Sequence, residues 1–381
     1  VGARWGALGR VGARWGAPGP GAMTAHGRCL LQCGLREGFR KRYDPSRGIL
    51  ATLGSVRMSV VPLLLTRIDV WLFLSIHVVV FSLRYTGEWP EAEFRMKTEL
   101  GWNEVKIVTI LTTFFEVFYT SQCFQRYMTL HKMTRGILKS LLHLAVELQR
   151  DLGQKSDSHA RVTLRYAMAS TCLFFVEEIN PSASGSAALL DRLLTPGEHA
   201  SLEGQPRPRW QLVMVWAGEV YWLGAQHAGK PDKAHKKVAG DMSKIVQHMR
   251  EMADVARLPI PFQYYHLVCL MVVICALSWA LQIGIDCSYG GIIIFFVAEL
   301  IFIGMIQLAS QLADPFGDDD VDFPVAKWMC ECFAACEAAL ERTPHPLGAP
   351  GAWGAVIAGE RRLDLGFDSL GGSEEMTGRH P

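Results

Sequence analysis

The fold class is decided by residues 260–313, which read IPFQYYHLVCLMVVICALSWALQIGIDCSYGGIIIFFVAELIFIGMIQLASQLA. Residues 260–284 contain no Asp, Glu, Lys or Arg, and residues 290–313 contain one charged side chain, that of Glu299. A helix that crosses a bilayer needs about 20 predominantly apolar residues at 1.5 Å rise per residue, so both segments are long enough. Residues 285–289 between them leave room only for a turn. The stretch predicts a hairpin of two membrane-spanning helices rather than two core helices of a soluble enzyme.

A second, less apolar pair precedes this hairpin. Residues 70–83 (VWLFLSIHVVVFSL) are extended upstream by SVVPLLL across Arg67 and Asp69, which can lie at the membrane interface because an Arg head group reaches water. Residues 107–124 form the other candidate and contain one acid, Glu116. The sequence therefore predicts four membrane-spanning helices.

The distribution of Lys and Arg predicts the topology, because these residues accumulate on the inner side of a membrane. Basic residues precede the first span, follow the second and precede the third, whereas residues 85–104 hold only Arg95 and Lys97. Both termini and the long middle segment are therefore expected on the inner side. The basic residues concerned are Arg40, Lys41, Arg42, Arg47, Arg57, Arg126, Lys132, Arg135, Lys244, Arg250 and Arg257.

The middle segment, residues 126–259, is polar enough for water and periodic enough for helices. Thr195, Pro196 and Glu198 are typical of a helix start, with a Thr cap, Pro in the first turn and a Glu that reaches back to the cap. Strand-like alternation is not convincing anywhere, so we predict an all-helical protein. Two apolar helix faces are marked by Ile137, Leu141, Leu144 and Leu148 and by Met242, Ile245, Val246, Met249 and Met252.

The composition of the 381-residue chain fits a protein divided between membrane and water. Half of it is hydrophobic and 20% is charged, and 38 Lys+Arg against 37 Asp+Glu leave a net charge of +1. This balance excludes a disordered chain and a nucleic-acid binder driven by bulk charge. The mean hydropathy of +0.15 lies between the membrane and soluble classes.

We predict a partly disordered low-complexity segment (1–58), a first transmembrane pair (59–124), a cytosolic helical region (125–259), a second pair (260–313), an acidic loop with a following helix (314–342) and a disordered tail (343–381).

The acidic loop ADPFGDDDVDF, residues 313–323, directly follows the last span and is the strongest chemical signal in the chain. Its five Asp side chains repel one another unless water screens them, basic groups face them or a hard cation binds. The Gly and the terminal Glu of an EF-hand loop are missing. Asp318, Asp319 and Asp322 match the D-D-x-x-D spacing with which membrane prenyltransferases hold Mg²⁺ and a diphosphate, although no second Asp motif accompanies them. From the residues alone, a solvated loop, a Ca²⁺ site and a Mg²⁺ site all stay open.

The segment LPIPFQYYHLV, the charge-free span after it and QLADPFGDDDVDF together closely resemble the bestrophin family of anion channels. The signature of that family after its last span is Asn-Pro-Phe-Gly, an acidic run and Phe. Here Asp314 replaces the usual Asn and Val321 interrupts the acids. The resemblance covers residues 59–333, including LTPGEH in the middle. The matching signature positions are Pro315, Phe316, Gly317 and Phe323.

The resemblance implies a homopentamer that passively conducts chloride, and bicarbonate as a second candidate ion. In that family the second span lines a narrow apolar neck, and Ile110, Phe114 and Phe118 match its three positions. Leu270, near the start of the third span, matches the inner aperture. Five copies would form stacked apolar rings that gate by dewetting, and the positive edges of the aromatic rings would favour an anion. On the residues alone, such a stripe is more often a helix-packing surface.

The resemblance also implies a regulatory calcium site in the acidic loop, as in animal bestrophins. Asp319 and Asp322 would supply carboxylates, and Gln311 and Asp314 would supply backbone carbonyls. A further ligand would come from the N-terminal segment. Glu116 lies about 200° around the helix from Phe114 and is expected to face away from the pore, where a buried acid needs a partner.

The remaining motifs indicate no chemistry of their own. The histidines form no paired-ligand motif, and neither a phosphate-binding loop nor a nucleophile elbow occurs. Cys330, Cys332 and Cys336 lack a zinc-site spacing and are read as ordinary helix residues. A basic run either stays solvated or lines an inner anion vestibule. That run consists of Lys230, Lys233, Lys236 and Lys237.

We therefore predict an anion channel without enzymatic activity. Its expected partners are further copies of itself, membrane lipid and chloride or bicarbonate, with no nucleic acid. It would reside in the plasma membrane or in an organelle such as a plastid. The alternatives are a Mg²⁺-dependent membrane prenyltransferase that uses the acidic loop and a non-conducting membrane scaffold whose loop binds Ca²⁺.

Overall fold

The protein is described here by a computed structural model that covers residues 59–87, 101–152, 156–181, 184–229, 233–258, 260–286, 288–317 and 321–341. Within these ranges it is helical and contains no strand, which confirms the predicted all-α class. The chain divides into two units after Leu340, and the second unit lies outside the described residues except for Glu341. The predicted N-terminal segment 1–58 and the tail 343–381 also lie outside them.

Eleven α-helices and one π-helical turn follow one another in the described ranges. They are α1 (Val61–Leu65), α2 (Ile68–Tyr85), α3 (Trp102–Asp151), α4 (Asp157–Phe174), the π-turn (Phe175–Ile179), α5 (Ser184–Leu193), α6 (Pro196–Glu203), α7 (Arg209–His227), α8 (Lys233–Arg257), α9 (Phe262–Ile285), α10 (Tyr289–Ala313) and α11 (Val325–Leu340).

Four of these helices, α2, α3, α9 and α10, are long and apolar enough to cross a membrane. They confirm the four predicted spans. The first and last residues of α9 and of α10 lie within two residues of the bounds predicted for the hairpin. Helices α2, α9 and α10 pack on one another and on α1 because each presents an apolar face to the others. The buried residues of this small core are Leu64, Val70, Phe73, Ala276, Ala280, Phe295 and Ile303.

Helix α3 is 50 residues long and joins the membrane part of the protein to the part outside it. At 1.5 Å per residue it measures about 75 Å, more than twice the thickness of a bilayer's hydrocarbon core. The second predicted span and the periodic face that begins at Ile137 therefore belong to one helix, and no boundary occurs at Phe124. The reason is local, since residues 125–136 contain no proline and a single glycine, so nothing ends the helix there.

The segment outside the spans forms a helical bundle around the second half of α3. Helices α8 and α11 pack directly on α3, and α4 and α7 pack on each other. The predicted apolar face of α3 is confirmed, because Ile137, Leu141, Leu144 and Leu148 are all fully buried. The face of α8 is confirmed as well, with Ile245, Met249 and Met252 buried and Val246 packed against the core.

The predicted start of α6 is confirmed by a capping box. The backbone N–H of Thr195 donates to Oε2 of Glu198 at 2.8 Å, and the N–H of Glu198 donates to the Thr195 hydroxyl at 3.4 Å. Arg165 also donates to both carboxyl oxygens of Glu198 at 2.8 Å, and the Tyr166 hydroxyl donates to Oε1 at 2.6 Å. Burial opposes the charge, but the donors from Arg165, Thr195 and Tyr166 outweigh it and lower the pKa of Glu198 to about 2.

Candidate functional site

An apolar stripe formed by Ile110, Phe114 and Phe118 runs along one face of the membrane half of α3. These side chains are 70%, 65% and 49% exposed, although they are among the most apolar of the helix. The opposite face, which carries Thr112, Glu116 and Tyr119, is buried against α9 and α10. The stripe therefore takes no part in the core of its own chain, and the predicted orientation of Glu116 away from it is confirmed.

Polar contacts fix the register of α3 against α9 and thereby hold the stripe in place. The hydroxyl of Thr112 approaches the carbonyl oxygen of Met271 at 3.4 Å, and the indole N–H of Trp279 donates to the Thr109 hydroxyl at 2.8 Å. Further along α3, the rings of Phe118 and Tyr264 lie edge to face with centroids 6.2 Å apart. Because the two helices run antiparallel, these contacts lock both the height and the rotation of α3.

Leu270 lies on an exposed face of α9 and is 46% exposed. The adjacent Met271 is level with Thr112, whereas Tyr264 is level with Phe118. Leu270 therefore lies beside the stripe and not below it. This position follows from the antiparallel register of α3 and α9, and the role of Leu270 as an inner aperture stays a prediction.

Arg126 closes the end of the spanning bundle that adjoins the second half of α3, the end predicted to be the inner one. Its guanidinium donates to the carbonyl oxygens of Ala313 at 2.9 Å, Val255 at 2.7 Å, Leu258 at 2.6 Å and Ala256 at 3.1 Å. These carbonyls lie at the C-terminal ends of α10 and α8, where the last turn of a helix has no donors of its own to satisfy them. We call this arrangement the inner junction. One side chain thus ties α3 to the end of the last span and to the end of α8.

The acidic loop is closed on itself directly beyond the inner junction. The backbone N–H of Phe323 donates to the carbonyl oxygen of Pro315 at 2.9 Å, and the Tyr127 hydroxyl donates to that of Val321 at 3.0 Å. Phe316 and Phe323 are buried, with ring centroids 5.5 Å apart, and serve as the apolar anchors of the loop. Asn180, at the end of the π-turn, donates to the carbonyl oxygen of Phe316.

The residues implied as calcium ligands are only partly brought together. Gln311 is half-buried in the last turn of α10, Asp314 is exposed and Asp322 is buried. A Cβ atom on Gly317 would lie 3.0 Å from the Asp322 carboxylate, so glycine lets the loop fold onto that acid. Asp319 and Asp318 lie outside the described residues.

The donor set that the described residues offer a calcium ion is incomplete. In the ranges covered by the structure, no three His, Cys, Asp or Glu side chains lie close enough to hold a metal. The buried Asp322 carboxylate and the carbonyls at the end of α10 are hard oxygen donors of the kind Ca²⁺ prefers. The carbonyl of Ala313 in that turn is already engaged by Arg126. A complete site would therefore need Asp319 and a contribution from elsewhere in the chain.

The cysteine and lysine runs show packing roles. Cys330 and Cys336 are buried on α11, and the Cys332 thiol lies 3.3 Å from the carbonyl oxygen of Leu138 on α3. Lys237 on α8 forms an ion pair with Glu147 of α3 at 2.8 Å. Lys236 is exposed, the Lys233 side chain and Lys230 lie outside the described residues, and their predicted roles stay predictions.

Sequence reasoning counted Arg126 only as one of many basic residues that indicate topology. The signal that could have singled it out is its place two residues after the last apolar residue of the second span, level with the end of the fourth. Its partners are backbone carbonyls, which every residue has, so the sequence does not identify them. The closure of the acidic loop through Phe323 and Pro315 was missed for the same reason.

Comparison with known proteins identifies relatives of this fold. The profile of the family described as Bacterial/Fungal Bestrophin protein matches residues 40–338. A crystal structure of a bacterial bestrophin homolog from Klebsiella pneumoniae superposes with a TM-score of 0.63 at 16% identity, over 72% of this chain and 98% of that one. A variant of the same homolog, with one tyrosine replaced by alanine, gives a TM-score of 0.63 at 15% identity, over 72% of this chain and 100% of that one. No curated protein matches the chain.

Proposed function

The chain belongs to the bacterial and fungal bestrophin family, and from this premise we propose that it forms a homopentameric channel that conducts chloride passively, with bicarbonate as a second permeant ion. Both termini and the bundle around the second half of α3 would lie on the inner side of the membrane, as the distribution of Lys and Arg favours. The plasma membrane and an organelle membrane both fit.

The observation that carries the proposal is the exposed stripe of Ile110, Phe114 and Phe118. These large apolar side chains lie within a span but are not buried in the core of their own chain. They are therefore available to line a pore. Their spacing of four residues gives rings about 6 Å apart along the axis. In a five-fold assembly these rings would form a neck that passes ions only when it is wetted. Leu270, beside the stripe, would narrow the same stretch of the pore.

The neck can favour anions without a fixed positive charge. The edges of aromatic rings carry partial positive charge, so Phe114 and Phe118 side chains turned edge-on would stabilise a partly dehydrated anion. The register contacts of Thr112 and Trp279 support this role, because they hold the backbone of α3 against α9 and so keep the stripe on the exposed face.

The test is anion flux through the purified protein in liposomes. We expect chloride flux in the wild type. Replacing Phe114 and Phe118 by Ala should increase the flux and alter the chloride-over-sulfate selectivity, because a neck lined by smaller side chains is wider and is wetted more easily. The matched control is Leu72→Ala, which shortens an exposed apolar side chain of α2. A protein that is monomeric in mild detergent and gives no flux would contradict the proposal, and would favour the non-conducting scaffold or the prenyltransferase.

Calcium regulation through the acidic loop is part of the proposal. It is supported by the buried carboxylate of Asp322 and by the closure of the loop against the inner junction. Bound Ca²⁺ would draw the loop toward the end of α10 through Asp322, Asp319 and the carbonyls of Gln311 and Asp314. We expect flux and melting temperature to rise with Ca²⁺ in the wild type and to become independent of Ca²⁺ in Asp322→Asn. Equal values in Ca²⁺ and in chelator for the wild type would exclude this regulation.

A further inference from the structure

Three ionisable side chains lie inside the spanning bundle, away from the stripe: His77 on α2, Glu116 on α3 and Glu299 on α10. They are 0%, 4% and 2% exposed, and among the described residues no ion pair reaches them. Nε2 of His77, Oε1 of Glu116 and both carboxyl oxygens of Glu299 receive no hydrogen bond. The chain's own helices bury them, so their burial does not depend on assembly. Such groups are costly within a membrane and mark functional sites where they occur.

Glu299 borders a small cavity between α9 and α10. The cavity measures about 10 Å³, room for a single water molecule, and its walls include Cys275, Trp279, Phe295 and Phe302. Apart from the Glu299 carboxyl and the Cys275 thiol, the residues that line it are apolar or aromatic. A charged carboxylate would find no compensation in this place, whereas a neutral carboxylic acid can be accommodated.

His77 contacts Phe295, one of the residues that line this cavity. Its Nδ1 is 3.1 Å from the carbonyl oxygen of Ala280, which can only accept, so Nδ1 carries the proton and Nε2 is left as an acceptor. The imidazole stacks on Phe295 with ring centroids 4.6 Å apart. Phe295 precedes Glu299 by four residues, one turn of α10. The His77 imidazole thus packs on α10 one helical turn away from Glu299.

A thiol and two hydroxyl groups lie between α9 and α3 beside this cavity. The Cys275 thiol is 3.6 Å from the Thr109 hydroxyl, which also accepts from Trp279. Thr112, one turn further along α3, precedes Glu116 by another turn.

We propose that the spanning bundle of each subunit contains a proton-binding site centred on Glu299, with His77 as a flanking acceptor, that is separate from the anion pore and controls it. The step is the reversible binding of one proton from water to the Glu299 carboxylate, which gives the neutral acid. Cys275 on α9 lines the same cavity as Glu299, His77 on α2 stacks on Phe295 one turn before it, and the charge of Asp69 on α2 acts on it. The charge of Asp69 is matched by Arg67, which donates to both of its carboxyl oxygens.

The structure also shows how this site can act on the pore. Loss of the proton leaves a charge that the cavity can hold only if water enters or α10 moves. Helix α10 is linked to α2 through Gln307, which accepts from Arg67 at 2.6 Å, and to α3 through the inner junction at Ala313. A displacement of α10 therefore reaches the helix that carries the stripe. This coupling rests on the proposed channel function, whereas the binding of the proton does not.

Proton binding itself is tested by infrared difference spectroscopy on the full-length protein in lipid. We expect the carbonyl band of a protonated carboxylic acid at neutral pH, its loss on alkaline titration, and its reduction in Glu299→Gln, which keeps the size and neutrality of the acid. The control is Glu219→Gln, which changes an exposed acid on α7 and should leave the band unchanged. An unchanged band in Glu299→Gln would overturn the assignment, whether or not the protein conducts.

Control of the pore is tested by chloride flux as a function of pH. We expect wild-type flux to change by about fivefold or more across the titration of the band, a typical size for coupling between two sites, and Glu299→Gln to be independent of pH. His77→Gln should keep its hydrogen bond to Ala280 and shift the midpoint of the profile. A pH profile in Glu299→Gln that equals the wild type would refute the coupling, even if the infrared band confirms the bound proton.

Discussion

Glu198 shows, at the scale of single residues, how one carboxylate can serve two structural purposes. It caps α6 through Thr195 and holds α4 through Arg165 and Tyr166. The start of α6 is predictable from LTPGEH, since the residues of a capping box lie within four positions of the sequence. The ion pair with Arg165 was not, because its partner lies 33 positions away and nothing in either segment points to the other.

Replacing Glu198 by Gln is expected to destabilise the protein by about 2 kcal/mol at neutral pH, since charge-assisted hydrogen bonds to Arg165 and Tyr166 are lost. The folded-state pKa is about 2 against an ordinary value of 4.5, so the carboxylate stabilises the fold fully above about pH 4.5. Its contribution is lost as the pH falls from 4.5 toward 2. Melting temperatures of wild type and Glu198→Gln should therefore converge over this range. A constant difference would show that the charge is not responsible.

At the scale of helices, close approach of α7 to α4 depends on Gly224. A Cβ atom at this position would lie 2.6 Å from the Cβ of His159 and 3.3 Å from Cδ1 of Leu152. The Cβ of His159 follows its backbone and cannot turn away. Gly218 lies on the same helix but has no atom within 4 Å of the corresponding position. The two glycines look alike in the sequence and differ only in what packs against them.

We expect Gly224→Ala to lower stability by about 1–3 kcal/mol, as overpacking does, because α7 must move away from α4. Gly218→Ala is the matched control and should be neutral or stabilising by up to about 1 kcal/mol, since Ala favours the helix. Thermal unfolding followed by size-exclusion chromatography measures both. Equal melting temperatures for the two variants would contradict the packing argument.

Several elements were predictable because their signals are local. The hairpin of α9 and α10 follows from hydropathy alone, and the faces of α3 and α8 follow from their periodicity. The inner junction and the depth of Leu270 were not predictable, because they depend on which helices meet and in which register. The stripe is an intermediate case, since its positions are periodic but only the fold shows that the core of the chain does not use them.

At the scale of the whole molecule, α3 sets the rotation of the stripe relative to the bundle outside the spans. Its membrane half is locked to α9 at Thr112, and its second half, outside the spans, is buried against α8 from Thr134 onward. No loop lies between these two contacts that could absorb a change in length.

Insertion of one Ala after Thr129 should therefore abolish the native assembly, since it rotates one half of α3 by about 100° against the other. The control is the same insertion after Gln205, in the exposed turn between α6 and α7, where an extra residue should be tolerated. Gel filtration of fluorescent fusions in detergent distinguishes them. A monodisperse peak with a wild-type melting temperature for the α3 insertion would refute a rigid α3.

The contacts of α2 have a consequence for biosynthesis. His77 is bonded to Ala280, 203 residues later, and Arg67 to Gln307, 240 residues later. At translation rates of about 5–20 residues per second, α2 waits in the membrane for about 10–50 s before these partners leave the ribosome. During that interval Arg67 has only its neighbour Asp69 as a partner, and the His77 imidazole faces lipid or an insertion factor. A nascent chain stalled before α9 should therefore be captured by membrane-insertion chaperones, and release should coincide with the emergence of α10.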